Sequence, residues 1–73
     1  MRAINKLKKS GLSRGDIARA IGVTRQAVGF WDRGLRSPEP DSRDKLIQLA
    51  LSRGILLLAS DFSLSDGENN NES

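Results

Sequence analysis

The chain has 73 residues, with twelve lysines and arginines, nine acids and a net charge of +3, and it contains no histidine and no cysteine. A chain of this length forms one small domain that buries only about 60% of the surface exposed in its unfolded state. Without histidine or cysteine, disulfides, thiolate metal sites and imidazole catalysis are excluded. The carboxylates are scattered singly, so the composition argues against an enzyme and predicts no metal, cofactor or small-molecule ligand.

Basic residues are concentrated in the first half of the chain. Residues 1–36 contain nine lysines and arginines and two acids, a net charge of +7, whereas residues 37–60 are neutral and residues 61–73 carry −4. This asymmetry is typical of a protein that binds a polyanion. A membrane surface is the weaker alternative, because no strongly apolar face lies opposite the charge.

Targeting and membrane segments are not expected. The basic start is followed by no apolar stretch, so we expect no signal peptide. The longest apolar run, residues 55–59, is too short to cross a bilayer. With the absence of cysteine, these features predict a cytoplasmic protein with no membrane partner.

The first predicted helix runs from Ala3 to Lys9. Ile4 and Leu7 share one face, which is the predicted inner face. Gly11 is expected to end the helix in a left-handed conformation. The other face carries lysines that point either to solvent or to phosphate: Lys6, Lys8 and Lys9.

Ser13 is predicted to begin a second helix. Ser13 and Asp16 have the spacing of a capping box, in which each side chain bonds the backbone amide of the other residue. Gly22 ends the helix, because glycine tolerates the positive φ of a tight turn. The inward-facing residues are Ile17, Ala18 and Ile21. Only about three residues separate this helix from the next, a connection typical of a helix-turn-helix.

Thr24 is predicted to cap a third helix. Val28 and Trp31 are three residues apart and form its buried face. Arg25 and Gln26 lie elsewhere on the helix, and these residue types bond base edges, arginine to guanine and glutamine to adenine. A polar face can also simply meet water, but the basic flanks favour a recognition helix in a DNA major groove.

Residues 14–33, RGDIARAIGVTRQAVGFWDR, resemble the twenty-residue helix-turn-helix motif of Cro and lambda-type phage repressors. The positions at which that family keeps its small, turn and core residues are Ala18, Gly22, Val28 and Trp31. The signal lies in the joint spacing of these residues, since no single one is diagnostic.

The resemblance implies roles for individual residues. Arg14, the first residue of the motif, is expected to bond a phosphate. Base contacts are expected from the start of the recognition helix and from its outer face one turn on: Thr24, Arg25, Gln26, Gly29 and Phe30. Asp32 departs from the pattern, because many relatives have glutamate there. Phe30 also departs, and it either contacts a thymine methyl group or packs beside Trp31 as a satellite of the core.

Further phosphate contacts are predicted at both ends of the motif. Gly34 is expected to cap the third helix, after which Leu35 returns to the core. Arg33 and Arg36 would then flank the DNA backbone at the far end of the recognition helix. Ser13 is the phosphate contact expected at the near end.

A fourth helix is predicted to begin at Asp41 or Ser42 and to end near Arg53, after a stiff loop with two prolines. The apolar run that follows lacks the alternation of a hairpin strand, so the β-hairpin through which lambda Cro dimerises is not expected. We interpret this run as part core and part dimer contact, the alternative being that all of it is core. Its residues are Ile55, Leu56, Leu57 and Leu58.

We therefore expect an all-α, compact four- to five-helix helix-turn-helix domain over residues 1–62, followed by a disordered acidic C-terminal tail over residues 63–73. The predicted function is sequence-specific transcriptional regulation by a Cro-type phage or prophage repressor. It would bind double-stranded DNA at a pseudo-palindromic operator as a homodimer. The alternative is an antitoxin-like protein-interaction module with secondary DNA binding, which co-purification of a second, basic protein would favour. RNA binding is less favoured, because few aromatic side chains are available for stacking.

Overall fold

The computed structural model describes residues 1–64, which form four α-helices and one short 3₁₀ helix. The α-helices are α1 (Arg2–Lys9), α2 (Arg14–Ile21), α3 (Arg25–Asp32) and α4 (Pro40–Ser52), and the 3₁₀ helix is Ala59–Phe62. No strand occurs in residues 1–64, so the predicted compact all-α class is confirmed. The predicted disordered tail lies, from residue 65 on, outside the described residues. None of the described helices is long and apolar enough to cross a membrane.

The predicted caps of α2 are confirmed. The Ser13 Oγ accepts a hydrogen bond of 3.1 Å from the Asp16 amide, and the Asp16 carboxylate accepts one of 3.0 Å from the Ser13 amide. The bond from the Ser13 amide, followed by hydrogen bonding from the Ser13 side chain, holds the pKa of Asp16 below its ordinary value. Gly22 follows α2 with a φ of +76°, in the left-handed region that glycine tolerates.

The connection between α2 and α3 holds the two helices in contact. It consists of residues 22–24. The Ala18 carbonyl accepts from the amides of both Gly22, at 2.9 Å, and Val23, at 3.0 Å. Ala18 itself is buried, so its small side chain lets the two helices approach at the turn. This is the predicted helix-turn-helix connection.

The core lies between the four α-helices and is closed by the segment after α4. The largest fully buried side chains are Ile4, Leu7, Ile17, Val28 and Leu46. Trp31 is 6% exposed and belongs to the same cluster, which confirms its predicted structural position.

The turn after α3 differs from the prediction at one residue. Gly34 has a φ of +74°, and the Leu35 amide donates to the Phe30 carbonyl at 2.9 Å, as expected for a glycine cap. The prediction that Leu35 returns to the core is wrong, because its side chain is 60% exposed. The cap reverses the chain direction and leaves this side chain on the outside of the turn.

α4 begins at Pro40, one residue before the predicted start. Proline is accommodated in the first turn because the amide it lacks has no partner within the helix. The helix ends at Ser52, and the next residue, Arg53, bonds Ser10 at the C-terminal end of α1. The Arg53 Nε donates to the Ser10 Oγ at 3.0 Å and its Nη2 to the Ser10 carbonyl at 2.8 Å.

The segment after α4 packs on α1 through alternate residues. Leu57 is 6% exposed and joins the core, whereas Leu56 is 64% and Leu58 51% exposed. Successive side chains of an extended segment point to opposite sides, which explains the alternation. The run is therefore divided between core and surface: Leu57, one of the four residues predicted for the dimer contact, lies in the core, and Ile55 is only partly exposed.

The Asp61 carboxylate fastens this segment to α1. Its Oδ2 accepts from the Lys6 ammonium at 2.7 Å and from the Leu58 amide at 2.8 Å, and the Arg2 guanidinium lies 3.6 Å from its Oδ1. Burial alone would raise the pKa of Asp61, but these hydrogen bonds and positive charges outweigh it and lower the pKa. Phe62, 5% exposed, completes the attachment.

Candidate nucleic-acid interface

The N-terminal end of α3 presents a polar, exposed surface. Thr24 caps the helix, its Oγ1 accepting from the Ala27 amide at 3.0 Å. Thr24, Arg25 and Gln26 are all exposed, whereas Val28 on the opposite side is fully buried. Three of the five residues predicted to contact bases therefore lie together at the exposed start of α3. The opposite face of this helix packs on the core.

Gly29 does not share this exposed face. It is buried, and a methyl group placed on it would lie 3.6 Å from the Arg14 Nη1. The Arg14 guanidinium therefore covers this point of α3. The predicted base contact at Gly29 does not fit this position, because a neighbouring side chain already occupies the space above it.

Arg14 is held over α3 by the carboxylate of Asp32. The Asp32 Oδ2 accepts from the Arg14 Nε and Nη2, each at 2.8 Å, and from the Lys8 ammonium, also at 2.8 Å. Burial would raise the pKa of Asp32, but the hydrogen bonds and charges of Lys8 and Arg14 outweigh it and lower the pKa. The carboxylate is thus ionised at neutral pH, and it keeps Arg14 in place with the side chain still 40% exposed.

The role of Asp32 could not be read from the sequence. It was visible only as a departure from the glutamate of similar motifs. Its two cationic partners come from α1 and from the start of α2, far away along the chain. A capping or helix-spacing rule connects residues three or four apart and cannot indicate such a contact.

A second basic group surrounds Phe30. The Arg33 guanidinium carbon lies 5.8 Å from the centre of the Phe30 ring, and that of Arg36 lies 5.5 Å from it. Phe30 is half-buried and lines an open cleft together with Gln26, Trp31 and Arg36. Phe30 therefore lies beside Trp31, as one of the two alternatives predicted, and its contact with a thymine methyl group stays a prediction. We name Phe30, Arg33 and Arg36 the arginine–phenylalanine cluster.

The residues predicted to contact phosphate differ in whether their side chains already bond another group of the domain. Ser13 is committed to the cap of α2, because its Oγ accepts from the Asp16 amide and its side chain also helps to lower the pKa of the Asp16 carboxyl by hydrogen bonding. Arg33 and Arg36 are exposed and form no ion pair with the acids of residues 1–64. These two arginines are the most accessible cations near the end of α3.

Comparison with known proteins adds no relative. No protein-family model, curated protein or solved structure matches the chain. In the part of the chain that the structure describes, no group of three or more acids could hold a metal ion. The interpretation of the site therefore depends on the helices, the exposed side chains and the charges described above.

Proposed function

We propose that this protein is a sequence-specific DNA-binding transcriptional regulator, a Cro-type phage or prophage repressor that occupies an operator and blocks transcription. One observation carries the proposal. α3 is buried on one side and capped by Thr24, and it presents Arg25 and Gln26 on its exposed side, directly after a three-residue turn from α2. Because the opposite face of α3 is packed on the core, the helix can enter a groove of DNA without rearrangement of the domain.

The dimensions of α3 suit the major groove of DNA. A helix with its side chains is about 10–12 Å across, and the major groove of B-DNA is about 12 Å wide. The side chains at its exposed N-terminal end are those whose hydrogen-bonding groups match base edges. Arg25 would bond guanine and Gln26 adenine, each pair contributing about 1–3 kcal/mol of discrimination.

The cations around α3 would bind the DNA backbone. Arg14 and Ser13 lie at the start of α2, and Arg33 and Arg36 lie beyond the end of α3. Arg14 reaches the last turn of α3 at Asp32, so these phosphate contacts would lie around the C-terminal end of the recognition helix. They would fix its register, while base contacts supply the preference. Phe30, between the two arginines and next to Gln26 in the cleft, would meet a thymine methyl group.

The working unit would be a dimer. One short helix reads too few base pairs to stand out among about 10⁶–10⁹ competing sites. Two chains related by a two-fold axis double the site and place the half-site centres about 34 Å apart. The exposed leucines after α4, Leu56 and Leu58, would supply the apolar contact, with Leu57 behind them in the core.

Selection of binding sites from random duplex DNA tests the proposal. We expect a pseudo-palindrome whose half-sites are one helical turn apart, and a relaxed preference at one or two base pairs per half-site in Gln26→Ala. Gln48→Ala is the matched control, because Gln48 is also exposed but lies on α4. Absence of any selected sequence contradicts the proposal. A selected site without symmetry contradicts its dimer part, and an equal loss in both variants contradicts base contact by Gln26.

A further inference from the structure

The described fold ends next to the arginine–phenylalanine cluster. The carbonyl oxygen of Leu64 lies 3.9 Å from the point that a methyl group on Gly34 would occupy. Gly34 stands between Arg33 and Arg36 in the chain, and consecutive Cα atoms are about 3.8 Å apart. The chain that follows Leu64 therefore begins close to the backbone of both arginines.

The residues that follow are acidic. Residues 65–73 contain Asp66, Glu68 and Glu72 and no lysine or arginine. Arg33 and Arg36, in contrast, are exposed and have no acidic partner within residues 1–64. An acidic sequence therefore begins directly after a residue that lies beside two cations without an acidic partner in residues 1–64.

We propose that the acidic segment, residues 65–73, docks on the arginine–phenylalanine cluster and competes there with DNA. Two carboxylates come two and four residues after Leu64, so at about 3.3–3.6 Å per residue they reach no farther than roughly 7 and 14 Å from it. Gly34, which follows Arg33 directly and precedes Arg36 by two residues, lies well within this range of Leu64. The tether keeps the segment at a millimolar effective concentration, so weak ion pairs are enough for partial occupancy.

The length of the segment also matches the face that it would cover. α3 has eight residues and is therefore about 12 Å long. Nine residues of extended chain span up to about 30 Å. The segment can therefore follow α3 from Gly34 back to Arg25. A carboxylate bound to Arg33 or Arg36 occupies the position at which a phosphate would bind, so docking and backbone contact exclude each other.

Docking itself does not depend on the proposed function, whereas the competition with DNA rests on it. The experiment therefore has one arm without DNA. The full chain is labelled with a nitroxide at Asn71→Cys, which is a unique site because the chain has no cysteine and which keeps all three acids. Broadening of the amide NMR signals of α3 then reports how often the segment visits this helix.

We expect strong broadening from Phe30 to Leu35 at low salt. It should fall in Arg33→Gln/Arg36→Gln to the level that the tether alone produces, and it should be retained in Lys9→Gln/Lys45→Gln, which removes two exposed cations elsewhere. The spectrum of each variant also shows whether it is folded. Broadening that is equal in the two charge variants would mean that the tether alone brings the label near, and the proposal would be overturned. Absence of broadening would overturn it as well.

The second arm measures binding to random duplex DNA over a range of salt concentrations. Asp66→Asn/Glu68→Gln should bind at least roughly threefold more tightly at low salt. The slope of its log affinity against log salt concentration should be steeper by about one to two ions. In the wild type a phosphate replaces a carboxylate at the two arginines, whereas in the variant this carboxylate is absent and the phosphate contact depends fully on salt. The charge-matched control is Asp41→Asn/Asp44→Asn on α4. Equal gains in both variants would overturn the competition, and absence of DNA binding in every variant would instead contradict the proposed function.

Discussion

Leu57 and Leu56 are neighbours with opposite exposures, so truncating each to alanine separates packing in the core from contact on the surface. Leu57 is 6% exposed within the core cluster, and truncation of a buried leucine costs about 2–5 kcal/mol. A chain of 73 residues has a total free energy of unfolding of about 4–11 kcal/mol, from ~0.05–0.15 kcal/mol per residue. Leu57→Ala should therefore lose a large share of it, whereas Leu56→Ala, at 64% exposure, should change it by less than about 0.5 kcal/mol.

Urea unfolding followed by the fluorescence of Trp31, the only tryptophan, measures both variants. It should be repeated at several protein concentrations, because a dimer contact through Leu56 would make the loss concentration-dependent, whereas a core defect would not. In thermal unfolding, Leu57→Ala should lower the midpoint by at least about 8 °C. Equal stabilities of the two variants would show that Leu57 is not packed on α1. Leu57 would then belong to the surface and not to the core.

Two further predictions concern the buried carboxylates and their partners. Arg14→Ala should weaken binding to operator and random DNA alike, and it should lower the slope of log affinity against log salt concentration by about one ion per chain. Arg19→Ala removes an exposed arginine paired with Asp16 and should leave this slope unchanged. An unchanged slope in Arg14→Ala would remove Arg14 from the interface. The pKa of Asp61 is lower in the folded than in the unfolded chain, so its stabilisation is complete above about pH 4 and is lost as the pH falls through the folded-state pKa. Asp61→Asn should therefore be less stable at neutral pH and lose less stability on acidification, and urea midpoints across that pH range that parallel those of the wild type would contradict the assignment.

The features that the sequence predicted well are set by residues close together in the chain. The capping box between Ser13 and Asp16, the cap at Thr24 and the left-handed Gly22 each depend on atoms within one helical turn. Local chemistry of this kind does not change with the position of the rest of the domain. The buried face of α3 was equally predictable, because a three-residue spacing of apolar residues indicates one side of a helix.

The errors concern positions that only the tertiary structure determines. Gly29 lies beside the exposed residues on a helical projection of α3 alone, but the guanidinium of Arg14, from α2, covers it. Leu35 and Leu57 are the same residue type but differ in exposure. One is exposed by the reversal of the chain at Gly34, and the other is buried because an extended segment alternates its sides. Hydrophobicity alone does not distinguish these two cases.

The excess of basic residues in the first half of the chain has two different uses. Five of the nine cations within residues 1–36 face carboxylates of the fold. They are Arg2 and Lys6 at Asp61, Lys8 and Arg14 at Asp32, and Arg19 at Asp16. The other four are Lys9, Arg25, Arg33 and Arg36, none of which pairs with an acid of residues 1–64, and three of these belong to α3 or follow it.

The net charge of the first half therefore does not show how many cations are free of ion pairs, nor where on the surface these cations lie. The carboxylates of Asp61 and Asp32 offset only two of the positive charges on the α1 side, but three of the four cations without an acidic partner in residues 1–64 belong to α3 or follow it. A phosphate backbone following a groove around α3 would meet Arg25 and then Arg33 and Arg36. Arg25, Arg33 and Arg36 have no acidic partner within residues 1–64, so binding DNA through them breaks no ion pair of the domain. Recruiting Lys6 or Lys8 would instead detach a buried carboxylate. Arg14 shares Asp32 with Lys8 through its Nε and Nη2, so it keeps this ion pair on DNA only if its Nη1 is the group that contacts the phosphate.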